Sequence, residues 1–127
     1  MPIHVSWYNE SKTAIHLAFI DPWSWDDFFL ADKKGTEMLG DVSHQVSFLA
    51  DFTQARQFPR GMSLQRVRSV LNFDNENSGM VVAFGVNPFL RVMINTMLTA
   101  AGRTTSTVVV VRDLEEALDL LEGRKVK

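Results

Sequence analysis

The sequence predicts an α/β fold: a single domain over residues 1–127 holding a mixed, mostly parallel five-stranded sheet covered by helices, in the order βαβαβα after an N-terminal β-hairpin. Three observations predict it. Short apolar runs alternate along the chain with segments whose apolar residues recur at helical spacing, the signature of strand–helix–strand units with parallel pairing. The first two apolar runs are separated only by the polar "NESK", Asn9 to Lys12, which is short enough for a hairpin. The stretch "GVNP", Gly85 to Pro88, divides a Val- and Ala-rich run from a helical one, as a tight strand-to-helix turn does.

The elements follow in order. "IHVSWY" and "TAIHLAFI" form the hairpin strands. "DPWSWDDFFLADKKGTEML" reads as a helix, with Trp25, Phe28, Phe29, Asp32, Thr36 and Leu39 on its inward stripe and either Asp21 or Ser24 as its cap. Val46 to Phe52 is the third strand, and the loop from Thr53 to Met62 leaves it. Ser63 then caps a short helix whose Leu64, Val67, Val70 and Leu71 face inward. "DNENSG" is a turn. The next strand, "MVVAFG", is followed by a helix with Asn87 as cap and Pro88 as first residue, its inward positions being Phe89, Leu90, Met93, Ile94, Met97, Leu98 and Ala101. "STVVVV" lacks alternation, as expected of a strand covered on both faces. In the last helix Asp113 and Glu116 have capping-box spacing, Leu114, Ala117, Leu118 and Leu121 make the stripe, and Gly123 ends it.

Composition narrows the function. With 13 basic against 15 acidic residues and a net charge of -2, the chain has no electrostatic footprint for nucleic acid. It has no cysteine, so disulfide frameworks and thiolate sites are excluded, and a reducing, cytoplasmic setting is expected. "MPIHVSWYNE" does not have the charge and apolar run of a signal peptide. Met80 to Ala101 is apolar enough to suggest a membrane span, but Arg91 at its middle would cost about 2.5 to 3.5 kcal/mol there, so the strand–turn–helix reading is preferred and no transmembrane segment is expected. His4, His16 and His44 lack ligand spacing, and no metal, cofactor or catalytic set can be assembled from the sequence.

The order of elements, the "FIDPWSWDDF" that opens the first helix, "LADF" followed by a Pro-Arg-Gly loop, "VVAFGVNPFLRVM" and the closing "VVVVRDLEEALDLL" resemble SpoIIAA-like domains of the STAS superfamily, which includes anti-sigma factor antagonists and the cytoplasmic domains of sulphate transporters. The resemblance spans nearly the whole chain. It implies a small regulatory or binding module without enzymatic activity. In the antagonists, a strand resembling Val46 to Phe52 leads to an Asp-Ser-Ser-Gly type motif whose serine is phosphorylated, and the added charge breaks the contact with a partner. Here Pro59, Arg60 and Gly61 stand about where the Asp-Ser-Ser would fall, so the usual phosphoacceptor motif is missing. Ser63 is the nearby hydroxyl, and it reads first as a helix cap and second as a displaced acceptor.

Two groups of residues are the candidate binding positions. Arg56 and Arg60 would form a modest basic feature on the loop at the carboxyl end of a central strand, where open α/β sheets place binding surfaces, with Phe58 and Pro59 clamping that loop to the core. Trp23 and Trp25, two apart at a helix start, should face differently, one inward and the other over the strand-to-helix edge. The first functional reading is a noncatalytic regulatory or interaction module, acting through a protein partner or through self-association as a homodimer. The alternative is a binding protein for a small apolar or amphipathic, lipid-like ligand, using the aromatic cluster together with Met93 and Met97.

Overall fold

A computed structural model gives the fold, and it describes residues 2–57, 59, 78–100 and 108–122. Five strands form one mixed sheet in the order β1-β2-β3-β4-β5: β1 (Ile3–Trp7), β2 (Ala14–Ile20), β3 (Val46–Gln54), β4 (Ser78–Phe84) and β5 (Val108–Val110). β1 and β2 are the expected antiparallel hairpin, with Ser6 opposite His16 and Trp7 opposite Ile15. β2 with β3, β3 with β4, and β4 with β5 pair in parallel. Three helices lie among the described residues: α1 (Trp25–Leu39), α2 (Pro88–Ala100) and α3 (Leu114–Leu121). The helix expected from Ser63 to Leu71, residues 74–77 of the expected turn and the stop at Gly123 lie outside the described residues, while the last two residues of that turn, Ser78 and Gly79, belong to β4, which starts two residues before the expected Met80.

The period-2 alternation of the strands divides the core in two. Ile3, Val5, Ile15, Phe19, Val46, Ala50, Phe52 and Ala83 point to one face, where α1 (Trp25, Ala31, Leu39) and α2 (Leu90, Ile94) cover them. Ala14, Leu49, Val82, Phe84 and Val111 point to the other, against Ala117 of α3. In β5, Val109 packs on the second cluster and Val110 on the first, so that strand is covered on both faces as its sequence implied.

The caps are those that the side chains favour. Ser24 caps α1 in a capping box: its hydroxyl accepts from the Asp27 amide at 3.1 Å while the Asp27 carboxylate accepts from the Ser24 amide at 2.9 Å. Asn87 caps α2, accepting from the Leu90 amide at 2.8 Å, and Asp113 caps α3, accepting from the Glu116 amide at 3.0 Å. No helix among the described residues is long and apolar enough to cross a membrane.

Three expectations are corrected. Thr36 of α1 is exposed, and the buried line runs through Trp25, Ala31, Gly35 and Leu39. The reason is close approach: a Cβ on Gly35 would lie 3.3 Å from the Phe48 ring, so the helix seats on the sheet through its smallest residues rather than through Thr36. Phe89 was expected inward but is 61% exposed. Leu90 and Ile94, one turn apart, set the buried arc of α2, and Phe89 falls about 100° away from Leu90, off that arc. β3 continues to Gln54, two residues past the expected end at Phe52, so the loop after it begins at Ala55.

Candidate functional site

The carboxyl ends of β2, β3 and β4 come together through three side chains that hold the backbone of the loop after β3. Asp21, just beyond β2, accepts from the Arg56 amide through Oδ2 at 2.8 Å, and its own amide donates to the Gln54 carbonyl at 3.1 Å. Asn87, just beyond β4, donates through Nδ2 to the Arg56 carbonyl at 3.3 Å while its Oδ1 caps α2. Trp25, in the first turn of α1, donates its indole N–H to the Pro59 carbonyl at 2.9 Å. The loop amides and carbonyls that have left the sheet thus find partners, as backbone groups at a crowded strand end require. Arg56 and Gln57 are left exposed.

Beside this loop lies an open cleft of about 350 Å³ lined by Asp21, Pro22, Trp23, Gln57 and Pro59. Its walls are two prolines and an indole, and its polar groups are one carboxylate and one primary amide. The arrangement offers a hydrogen-bonding acceptor, an amide of both characters and apolar contact.

The sequence assigned six residues to binding, and the structure distributes them unevenly. Arg56 sits at the loop with its backbone fixed and its side chain exposed. Trp23 and Trp25 do not divide between core and edge: both are buried, at 5% and 7% exposure, with ring centroids 5.2 Å apart and edge to face. Helical spacing does not apply to them, because Trp23 precedes the Ser24 cap and its backbone is not helical. Trp23 nonetheless borders the cleft, and Trp25 reaches the loop through its indole nitrogen. Phe58, Arg60 and Ser63 lie outside the described residues.

The aromatic residues expected around a ligand are packed on one another. Phe19 stacks on Phe52 with centroids 4.4 Å apart, meets Trp23 at 5.0 Å, and Trp25 meets Phe28 at 5.7 Å. Such pairs each contribute about 0.5–1.5 kcal/mol beyond their buried area. Of these packed rings, Trp23 borders the cleft.

Sequence reasoning missed a second polar grouping, on the sheet face beside α3. His16 of β2 and Asp51 of β3 form a pair, Nε2 to Oδ2 at 2.9 Å. The other carboxylate oxygen of Asp51 accepts from the Thr53 amide at 2.9 Å and from the Thr53 hydroxyl at 2.6 Å. Burial pushes the Asp51 carboxyl up, but the Thr53 hydroxyl and amide and the His16 hydrogen bond outweigh it and hold the group below the usual carboxylate range. A signal was present: a carboxylate inside the apolar run "VSFLADF" needs a partner, and His16 is the polar residue in the middle of the preceding strand. Among the described residues no group of three or more His, Cys, Asp or Glu side chains could hold a metal ion.

Comparisons of the chain with protein-family models, with curated proteins and with solved structures return no match.

Proposed function

We propose that the chain is a noncatalytic interaction module of the kind that SpoIIAA-like STAS domains exemplify, and that it engages a protein partner through the loop after β3. One observation carries this reading. The loop backbone is held from Asp21, Trp25 and Asn87, each at a different strand end or helix start, while the Arg56 and Gln57 side chains stay exposed. A surface whose backbone is already ordered loses little conformational entropy on association, which is the property that favours binding by a small rigid face. Arg56 adds a charge that steers an acidic partner. The reading does not use Ser63: the contact surface is the loop itself, and a phosphate switch is not required.

The lipid-carrier alternative draws less support. The rings it would use are engaged with one another, and the space beside them is an open cleft bordered by a carboxylate and an amide.

The test is site-specific photo-crosslinking in cells that express the full chain, with the crosslinker at Gln57 and, as a control, at exposed Lys34 of α1. A discrete protein adduct from position 57 and none from position 34 supports the module. A stoichiometric small molecule released in native mass spectrometry, without a protein adduct, would replace it with the carrier.

A further inference from the structure

Charge is distributed unevenly along this chain. Residues 52–112 hold seven arginines against two acidic residues, while the rest of the sequence holds six basic residues against thirteen acidic ones. The strands lie in the sheet in chain order, so that stretch runs from the end of β3 to just past β5, on the side of the sheet away from β1. Three of its arginines stand at the carboxyl ends of successive strands: Arg56 after β3, Arg91 in the first turn of α2 after β4, and Arg112 just beyond β5. All three are exposed. Arg112 is met by Asp113 at 3.3 Å and by Glu116 at 3.9 Å. Arg91 donates through Nη2 to a neutral group, the Val110 carbonyl, at 3.4 Å, and the Asp21 carboxylate near Arg56 bonds its backbone amide. Arg56 and Arg91 therefore keep their positive charge at this surface.

An apolar strip lies between the two. At about 100° per residue around α2, Leu90 and Ile94 face the core and Arg91 turns to the β5 flank, where it reaches Val110. Phe89 falls about 200° from Arg91, on the flank toward β3, and Val92 stands between them on the outer surface. Phe89 and Val92 are 61% and 62% exposed. The Arg56 loop is joined to the start of the same helix, since Asn87 Nδ2 donates to the Arg56 carbonyl at 3.3 Å. α2 itself carries no acidic residue. The order across this surface is Arg56, Phe89, Val92, Arg91: an apolar centre with a cation on either side.

We infer that this surface of α2 and the loop after β3 bind an acidic, amphipathic segment of the partner protein, whose apolar side chains seat on Phe89 and Val92 and whose carboxylates meet Arg56 and Arg91. The inference rests on the interaction reading above and deepens it, extending the surface from the loop to α2 and giving the partner a chemistry. An exposed aromatic ring at the centre of a contact is the kind of residue on which binding energy concentrates. Guanidinium groups pair with carboxylates through two parallel hydrogen bonds. Charges at the rim of such a contact speed encounter with an acidic segment and reject a basic one.

The probes are two labelled synthetic amphipathic peptides with the same leucine positions, one with glutamate and one with lysine on its polar face, titrated into the full chain by fluorescence anisotropy at low and high salt. The glutamate peptide should bind at least about tenfold more tightly than the lysine peptide at low salt, and the difference should shrink at high salt. Phe89→Ser should weaken the glutamate peptide by about tenfold, as loss of a central interface residue does. Arg56→Ala with Arg91→Ala should remove the preference between the peptides. These side chains are exposed, so the thermal unfolding midpoint should stay at the wild-type value in each variant. Equal binding of the two peptides, no binding of either, wild-type affinity in Phe89→Ser, or sedimentation with phosphatidylserine vesicles in place of peptide binding overturns the inference. A photo-crosslinker at Val92, used beside the one at Gln57, separates this inference from the reading it rests on. One partner captured from both positions, through an acidic and amphipathic peptide at Val92, supports it. An adduct from Gln57 with none from Val92, or a Val92 adduct to a second copy of this chain, overturns it and leaves the loop reading standing; no adduct from either position overturns both.

Discussion

Gly85 links β4 to the Asn87 cap, and replacing it with alanine tests how tightly the carboxyl end of the sheet is built. Two costs can be worked out. Gly85 has φ +71, a left-handed conformation that costs an L residue about 1–2 kcal/mol. An added Cβ would lie 2.5 Å from Thr53 Cγ2, 3.0 Å from the Thr53 nitrogen and 3.2 Å from its Cα. The methyl can turn away only by rotating the Thr53 hydroxyl off Asp51, and the backbone contacts require β3 or the turn to shift; overpacking of this kind costs about 1–3 kcal/mol. Gly85→Ala should therefore lose roughly 2–5 kcal/mol, a large share of the roughly 5–15 kcal/mol by which domains are ordinarily stable. Urea unfolding followed by tryptophan fluorescence measures the loss. A cycle with Thr53→Ser locates it: serine keeps the hydroxyl that Asp51 accepts from and removes the methyl, so the double mutant should be more stable than the two single losses added, by on the order of 1 kcal/mol. A Gly85→Ala protein within about 0.5 kcal/mol of wild type would refute the argument, as would strictly additive losses.

Arg56→Ala should leave stability within about 0.5 kcal/mol, because the bonds at that position are made by its backbone; partner binding should weaken at low salt and differ less from wild type at high salt, read by titration at two ionic strengths. Trp25→Phe keeps a ring in the core but leaves the Pro59 carbonyl without its donor, and should cost about 1–3 kcal/mol in urea unfolding. The Asp51 carboxyl is lowered in the folded state, so its contribution is present above the unfolded value of about 3.9 and is lost as pH falls through the folded value; Asp51→Asn should flatten the acid limb of the stability–pH curve. Asp32 is the opposite case. Burial on α1 raises its carboxyl, which burdens the fold where the group is charged, so Asp32→Asn should gain stability at pH 7 and show no gain at pH 3, by thermal unfolding at both.

Local sequence determined what depends on near neighbours. The Ser24–Asp27 capping box, the Asn87–Pro88 helix start and the Asp113 cap are interactions over three residues, and they form wherever the chain turns into a helix. The alternation along β1, β2 and β3 likewise decided which side chains face which cluster, since the period is a property of the strand alone. The tertiary structure decided what depends on contacts across the sheet. Whether Ala31 and Gly35 or Thr36 faced inward depended on how closely Phe48 allowed α1 to approach. Trp23 and Trp25 met because the chain before the cap bends back over Phe19, which no helical spacing describes. The candidate site is tertiary throughout: Asp21 and Arg56 are 35 positions apart, as are His16 and Asp51, and only the parallel register of β2 on β3 brings each pair within a hydrogen bond.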